Sequence, residues 1–183
     1  IQKLRSLVFY AVVLLTVRSA WAAWAVEPNC GWALVVTVPL TILGIHDLVQ
    51  TRRSLLRAFP ESTLSAIESA VTATEQLHSG EVRFAIEAAL DPSRVWHGHT
   101  PRQRALEVFA ALGVWDTAAN NGVLIYVLLA DRDVEIVADR GFNGRVGLDE
   151  WRAICDAMDA RFQAGDFESG AVECVRRVGE IVA

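Results

Sequence analysis

Two long apolar stretches open the chain. Leu7–Val26 reads LVFYAVVLLTVRSAWAAWAV and Trp32–Val49 reads WALVVTVPLTILGIHDLV, 20 and 18 residues. A membrane-spanning helix needs about 17–25 predominantly apolar residues. Between them Glu27-Pro28-Asn29-Cys30-Gly31 is a turn sequence, and Trp21, Trp24 and Trp32 cluster where an interfacial aromatic belt would lie. The pattern predicts a two-helix transmembrane hairpin. Arg18 would cost about 2.5–3.5 kcal/mol at the bilayer centre. It lies past the middle of its segment, so its head can snorkel toward the Trp-rich end. Lys3 and Arg5 flank one outer end, Arg52, Arg53 and Arg57 the other, and the turn has no basic residue. The positive-inside rule then puts both outer ends in the cytoplasm. A signal peptide is the rival reading: Lys3 and Arg5 as n-region, Leu7–Val17 as h-region, and cleavage after Ala22 at Ala20-Trp21-Ala22. The second stretch would then still span, and both readings place residues 61–183 on the cytoplasmic side. A buried soluble hairpin fits less well, because helices apolar all round would find little partner mass to cover them.

After Pro60 the period changes. Leu64, Ile67, Val71, Thr74 and Leu77 step by three or four, predicting a helix over Leu64–Leu77. Ser65-Ala66-Ile67-Glu68 fits a capping box, with Ser62 as a second cap candidate. Glu81–Ala88 alternates as a strand, Val82, Phe84 and Ile86 on one face, Arg83 and Glu87 on the other. Asp91–His99 reads as a loop. Thr100-Pro101 starts a second helix running to about Leu112, with Leu106, Phe109 and Leu112 inward. A polar connection, Gly113–Asn121, leads to Val123–Ala130, an uninterrupted apolar run expected to form a central strand covered on both faces. Asp131-Arg132-Asp133 turns into a third strand, Val134–Ala138. A third helix starts near Asp149, with Trp151, Ile154, Cys155, Met158 and Phe162 buried, and ends at Gly165; a fourth spans Glu168–Val182. The order α-β-α-β-β-α-α implies an α/β fold: an αβα sandwich with a small mixed sheet.

The 183 residues carry a net charge of −5, with 52% hydrophobic residues and a mean hydropathy of +0.29. That excludes a disordered chain. The charge is also divided. Residues 1–60 hold six basic and two acidic residues, +4; residues 61–183 hold eleven basic and twenty acidic, −9. Two parts follow: residues 1–60, a transmembrane hairpin and basic linker, and residues 61–183, an acidic globular domain. A nucleic-acid partner is disfavoured, since such proteins carry a basic patch. Cys30, Cys155 and Cys174 form no CxxC pair and imply neither a disulfide framework nor a zinc site.

Several ordered segments carry a family resemblance. They are His78–Phe84, Val114-Trp115-Asp116-Thr117, Asn120–Ile125, Asp131-Arg132, Val134–Gly141, Trp151 and the Phe162–Gly170 corner. Together they resemble the TPM domain, over nearly all of residues 61–183. The resemblance implies an α/β/α sandwich. TPM domains occur in a thylakoid photosystem II repair protein, in an accessory subunit of acetylcholine receptors and in many bacterial membrane-associated proteins. Acid-phosphatase activity and calcium binding have been attributed to some members. Gly44–Pro60 resembles the end of the N-terminal membrane hairpin of FMN-binding glutamate synthase-like proteins; no flavin domain follows it.

The loop carboxylates are the candidate chemistry. Antiparallel pairing of the second and third strands sets Asp139 near Asn121, so the expected cluster is Asp116, Asn120, Asn121 and Asp139, with Glu81 added if its strand starts alongside. Oxygen ligands on loops suit calcium or another hard divalent cation. Asp131 and Asp133 belong to the opposite end. Asp and Asn are equally the residues of turns and caps, which accounts for the same positions without a ligand. His97-Gly98-His99 has no third ligand and reads as a solvated loop. No GxSxG, P-loop or HExxH occurs. Two functions remain open: a membrane-anchored accessory module on a membrane-protein partner, and a divalent-metal-dependent acid phosphatase-like hydrolase.

Overall fold

The computed structural model describes residues 53–183; the hairpin, the signal-peptide alternative and the resemblance of Gly44–Pro60 fall wholly or largely outside them. Among the described residues no helix is long and apolar enough to cross a membrane. The elements are α1 (Glu61–Glu75), β1 (Glu81–Glu87), α2 (Pro92–Trp96), α3 (Pro101–Ala111), β2 (Gly122–Leu128), β3 (Asp133–Ala138), a 3₁₀ turn (Arg140–Phe142), α4 (Leu148–Gln163) and α5 (Phe167–Val182). This is an α/β fold on a small mixed sheet of order β1-β2-β3.

β2 pairs parallel with β1, from Glu81↔Gly122 to Glu87↔Leu128, and antiparallel with β3, from Val123↔Ala138 to Leu128↔Asp133. The parallel pair needs a crossover, which α2 and α3 supply. All seven residues of β2 are buried. On one face Val82, Phe84, Ile86, Val123, Ile125 and Val127 pack under α1, α4 and α5. On the other Ala85, Leu124, Tyr126, Leu128 and Val137 pack under Ala105 and Val108 of α3.

Four local expectations need correction. α1 begins at Glu61 with Pro60 as N-cap and no side-chain cap, so Ser62 and Ser65 lie inside the helix. Phe59 sets this start. It is wholly buried against Phe162 and Phe167, with ring centroids 5.9 and 5.6 Å away, and the fixed φ of Pro60 lets the helix leave directly from that anchor. α1 also stops at Glu75, leaving Leu77 71% exposed. α3 is rotated from the expected face: Ala105 and Val108 go inward, and Leu106 is 47% exposed. Small Ala105 lets α3 approach the sheet closely, with Phe109 and Leu112 at the margin. Fourth, the Asp91–His99 segment contains a helical turn, α2, capped by Asp91.

The α3 face of the sheet holds a charge. Glu87 is buried there rather than facing solvent. Arg104 grips it with Nε at 2.9 Å and Nη2 at 2.5 Å, and the Tyr126 hydroxyl donates to it at 2.7 Å. Arg104 also reaches Glu107 at 2.9 Å. Burial raises the Tyr126 pKa, and its bond to Glu87 adds to the rise; the Glu87 contact raises that of Arg104. A buried carboxylate deprived of its cation is costly, while a matched apolar pair can be neutral. Arg104→Met is therefore expected to lower unfolding free energy by about 3–5 kcal/mol in urea denaturation, Glu87→Met/Arg104→Met by less than that, and Tyr126→Phe by only about 0.5–1.5 kcal/mol.

Candidate functional site

Because β1 and β2 run parallel and β3 returns, the start of β1, the start of β2 and the end of β3 share one end of the sheet. Glycines bring the loops there into close contact. A Cβ on Gly80 would press on the Asn121 carbonyl, one on Gly122 would overlap the Val114 carbonyl, and one on Gly141 would overlap the Asn120 carbonyl. Asn120 takes a left-handed φ of 51°, which Asn tolerates better than most residues. Its side-chain oxygen accepts from Arg140 Nε at 2.9 Å. The Thr117 hydroxyl accepts the Asn121 N–H at 2.9 Å. Asp139 accepts the Arg140 N–H at 2.7 Å, and its own N–H donates to Gly122 O at 2.9 Å.

Three buried acceptors at this end have no hydrogen-bond partner: His78 Nε2, Asn121 Oδ1 and Asp139 Oδ2. His78 Nδ1 lies 3.1 Å from Gly80 O. A carbonyl only accepts, so Nδ1 carries a proton, and in the tautomer that bears it there Nε2 is the free acceptor. An orphaned buried polar atom costs about 1–3 kcal/mol, and the only other one among the described side chains is Asp159 Oδ1. The concentration of three at one sheet end marks it as the candidate site.

Asn120, Asn121 and Asp139 thus share the sheet end expected of them. Glu81 starts its strand alongside Gly122, but its carboxylate is held by Arg83 at 2.5 Å. Asp116 sits exposed in the preceding turn, its N–H on Gly113 O at 2.9 Å. His78 was missed, although a histidine one turn before a strand, ahead of Ser79-Gly80, lies within reach of this end. As a calcium shell the side chains are incomplete. Calcium takes 6–8 oxygens, and among the described residues no three of His, Cys, Asp and Glu gather closely enough to hold a metal.

The fold agrees with what the sequence matches. A family model described as TPM domain matches residues 56–181. The chain belongs to the TPM domain family. The NMR structure of BA42 protein from the psychrophilic bacterium Bizionia argentinensis is 31% identical, covering 68% of this chain and 81% of that one, with a TM-score of 0.58. The N-terminal domain of cg2496 protein from Corynebacterium glutamicum is 16% identical, covering 67% and 73%, with a TM-score of 0.46. Among curated proteins no match is found.

Two other surfaces of this TPM domain carry unusual chemistry. On α2, Val95 is 61% and Trp96 89% exposed. The turn that presents them is firmly built. Asp91 accepts from Ser93 N at 2.8 Å and Ser93 Oγ at 2.6 Å, bonds that hold its carboxyl below the usual range. Arg94 reaches Glu107 of α3 at 2.6 Å. His97 Nδ1 is spent on Ser93 O at 2.6 Å, and His99 is exposed.

At the opposite sheet end, Asp159 on α4 faces a group of carboxylates. Burial first, then Asp133, Asp156 and Glu135, push its pKa up to about 6, and the Val134 N–H offsets this only in part. Asp133 is raised by burial and by Asp131. Burial likewise pushes the neighbouring Cys155 thiol up to about 12, so it stays a protonated packing residue. The Asp159 shift makes stability pH-dependent. Its folded pKa lies above the ordinary 3.8, so the penalty is full above pH 6 and fades as pH falls from 6 toward 4. Asp159→Asn is expected to stabilise the protein by about 1 kcal/mol at pH 8, a figure reduced for solvent screening. The gain over wild type should vanish near pH 4 in parallel denaturation curves.

Proposed function

We propose that this TPM domain is a membrane-anchored accessory module whose α2 surface docks a membrane-protein partner. The observation that carries the reading is Trp96, 89% exposed beside Val95 on a turn held by an Asp91 cap and the Arg94–Glu107 ion pair. Trp96 and Val95 together form an exposed apolar pair, and Trp is enriched among residues that dominate binding energy. A rigid turn also loses little entropy when it docks. The apolar stretches Leu7–Val26 and Trp32–Val49 would supply the anchor, with residues 61–183 on the cytoplasmic side or, in the alternative, with cleavage after Ala22. In membranes of the host cell, a photoreactive side chain at position 96 should crosslink to one membrane protein, whereas one at exposed Gly144 should not. Trp96→Ser should reduce recovery of that complex at least about tenfold while changing stability by under about 0.5 kcal/mol. Crosslinks to lipid alone, or none, would sink the docking role.

A second reading, a divalent-cation-dependent (calcium) acid phosphatase-like hydrolase, draws on the orphaned acceptors His78 Nε2, Asn121 Oδ1 and Asp139 Oδ2. Two of these are hard oxygens of the kind calcium accepts, and the incomplete shell is what ranks it second. Calorimetric titration of the full chain with Ca²⁺ separates the readings. The accessory role expects the same trace for wild type and Asp139→Asn; saturable heat in wild type that is lost in Asp139→Asn would establish the cation site.

A further inference from the structure

Residues 61–183 contain eleven arginines and no lysine. Nine have a partner. Arg83, Arg94, Arg102, Arg104, Arg152, Arg161 and Arg176 meet carboxylates. Arg132 donates to Gln163 O, and Arg140 to Asn120. Arg145 and Arg177 are the exceptions, neither guanidinium having a hydrogen bond or an ion pair among the described residues. They come from different parts of the chain, one ahead of α4 and one on α5, yet both line the same cleft of about 410 Å³.

The cleft has a distinct chemical layout. Its apolar lining is Val146, Ile154 and Ile181. Glu180 also borders it, but Arg176 already holds that carboxylate. Glu150 remains as the one acidic group there without an ion pair. At the same place α4 begins on Gly147, which has no side chain to cap the helix. Gly147 O takes the Glu150 N–H at 3.1 Å, so the N–H groups of Leu148 and Asp149 are left to other acceptors, at the positive end of the helix dipole.

From this layout we propose that the α4–α5 cleft binds an organic phosphate. Two guanidinium forks match a tetrahedral oxyanion, since each offers paired N–H donors to separate oxygens. A cleft of about 410 Å³ lies in the range of small-molecule sites and exceeds what a bare ion would fill. The phosphate therefore carries an organic body that lies on Val146, Ile154 and Ile181. Glu150 repels a second anionic group and accepts from a hydroxyl or ammonium of that body. The source is either a soluble phosphate ester or the headgroup of a phospholipid, which present the same oxyanion. The proposal stands apart from both functional readings: it uses neither Trp96 nor the sheet end.

The full chain in detergent is titrated calorimetrically with glycerol 3-phosphate and, separately, with dihexanoyl phosphatidic acid below its micelle concentration. Wild type should bind at least one of them saturably at a single site. Tighter binding of the lipid identifies a headgroup; equal or tighter binding of the ester identifies a soluble ligand. Arg177→Gln should weaken binding about tenfold or more, and Arg145→Gln/Arg177→Gln should abolish it. Arg152→Gln, at an exposed arginine paired with Asp149 away from the cleft lining, should leave it unchanged, as should the circular dichroism of every variant. Arg177→Lys should recover only part of the affinity, because the charge returns without the fork. Absence of saturable binding to both probes overturns the proposal, as does binding that survives in the double variant.

Discussion

A three-stranded sheet whose middle strand is buried on both faces is the constraint from which the rest of the domain follows. β2 has no solvent side, and its seven residues run GVLIYVL without a charge. Three strands make too small a surface to protect both faces unaided, so each must be covered by helices. α1, α4 and α5 cover one face with the larger cluster, and α3 the other with the smaller. The close α1–α5 crossing depends on Gly179, where a Cβ would meet Thr74. Removing water from both faces also traps Glu87, and the Arg104–Tyr126 network is what makes that burial tolerable.

The same constraint creates the chemistry at the strand ends. Strands buried on both faces can meet solvent only at their ends, so polar loop residues collect there. One end gathers His78, Asn121 and Asp139, each with a buried acceptor left unmatched. The other gathers Asp133 and Asp159 with Asp131, Asp156 and Glu135, a like-charge group that raises carboxyl pKa values. Neither end is tuned for stability. Such concessions are commonest where a protein has something else to do with the residues.

Periodicity made the element order legible because burial leaves a direct imprint on it. The 2-residue alternation of β1, the unbroken run of β2 and the 3.6-residue stripe of α5 each report which faces are covered. Where side chains are small, the imprint fades. α3 turns on Ala105 rather than Leu106, and α2 is too short to show any period. The start of α1 was misplaced for a related reason: Ser65 looks like a cap locally, but buried Phe59, packed on the rings of Phe162 and Phe167 far along the chain, decides where α1 begins.

Sequence alone determined the α/β class, the order of elements apart from the short α2, the family and the split between a basic apolar first third and an acidic remainder, since all rest on local pattern and composition. It also placed Asn120, Asn121 and Asp139 at one sheet end, because strand direction follows from connection length. Tertiary structure alone decided which polar groups find partners. Glu81 went to Arg83 and Glu87 to Arg104, His78 joined the sheet end, and Arg145 and Arg177 were left facing one cleft. Partner choice depends on distances between residues far apart in the chain, and those distances exist only once the helices have packed onto both faces of β2.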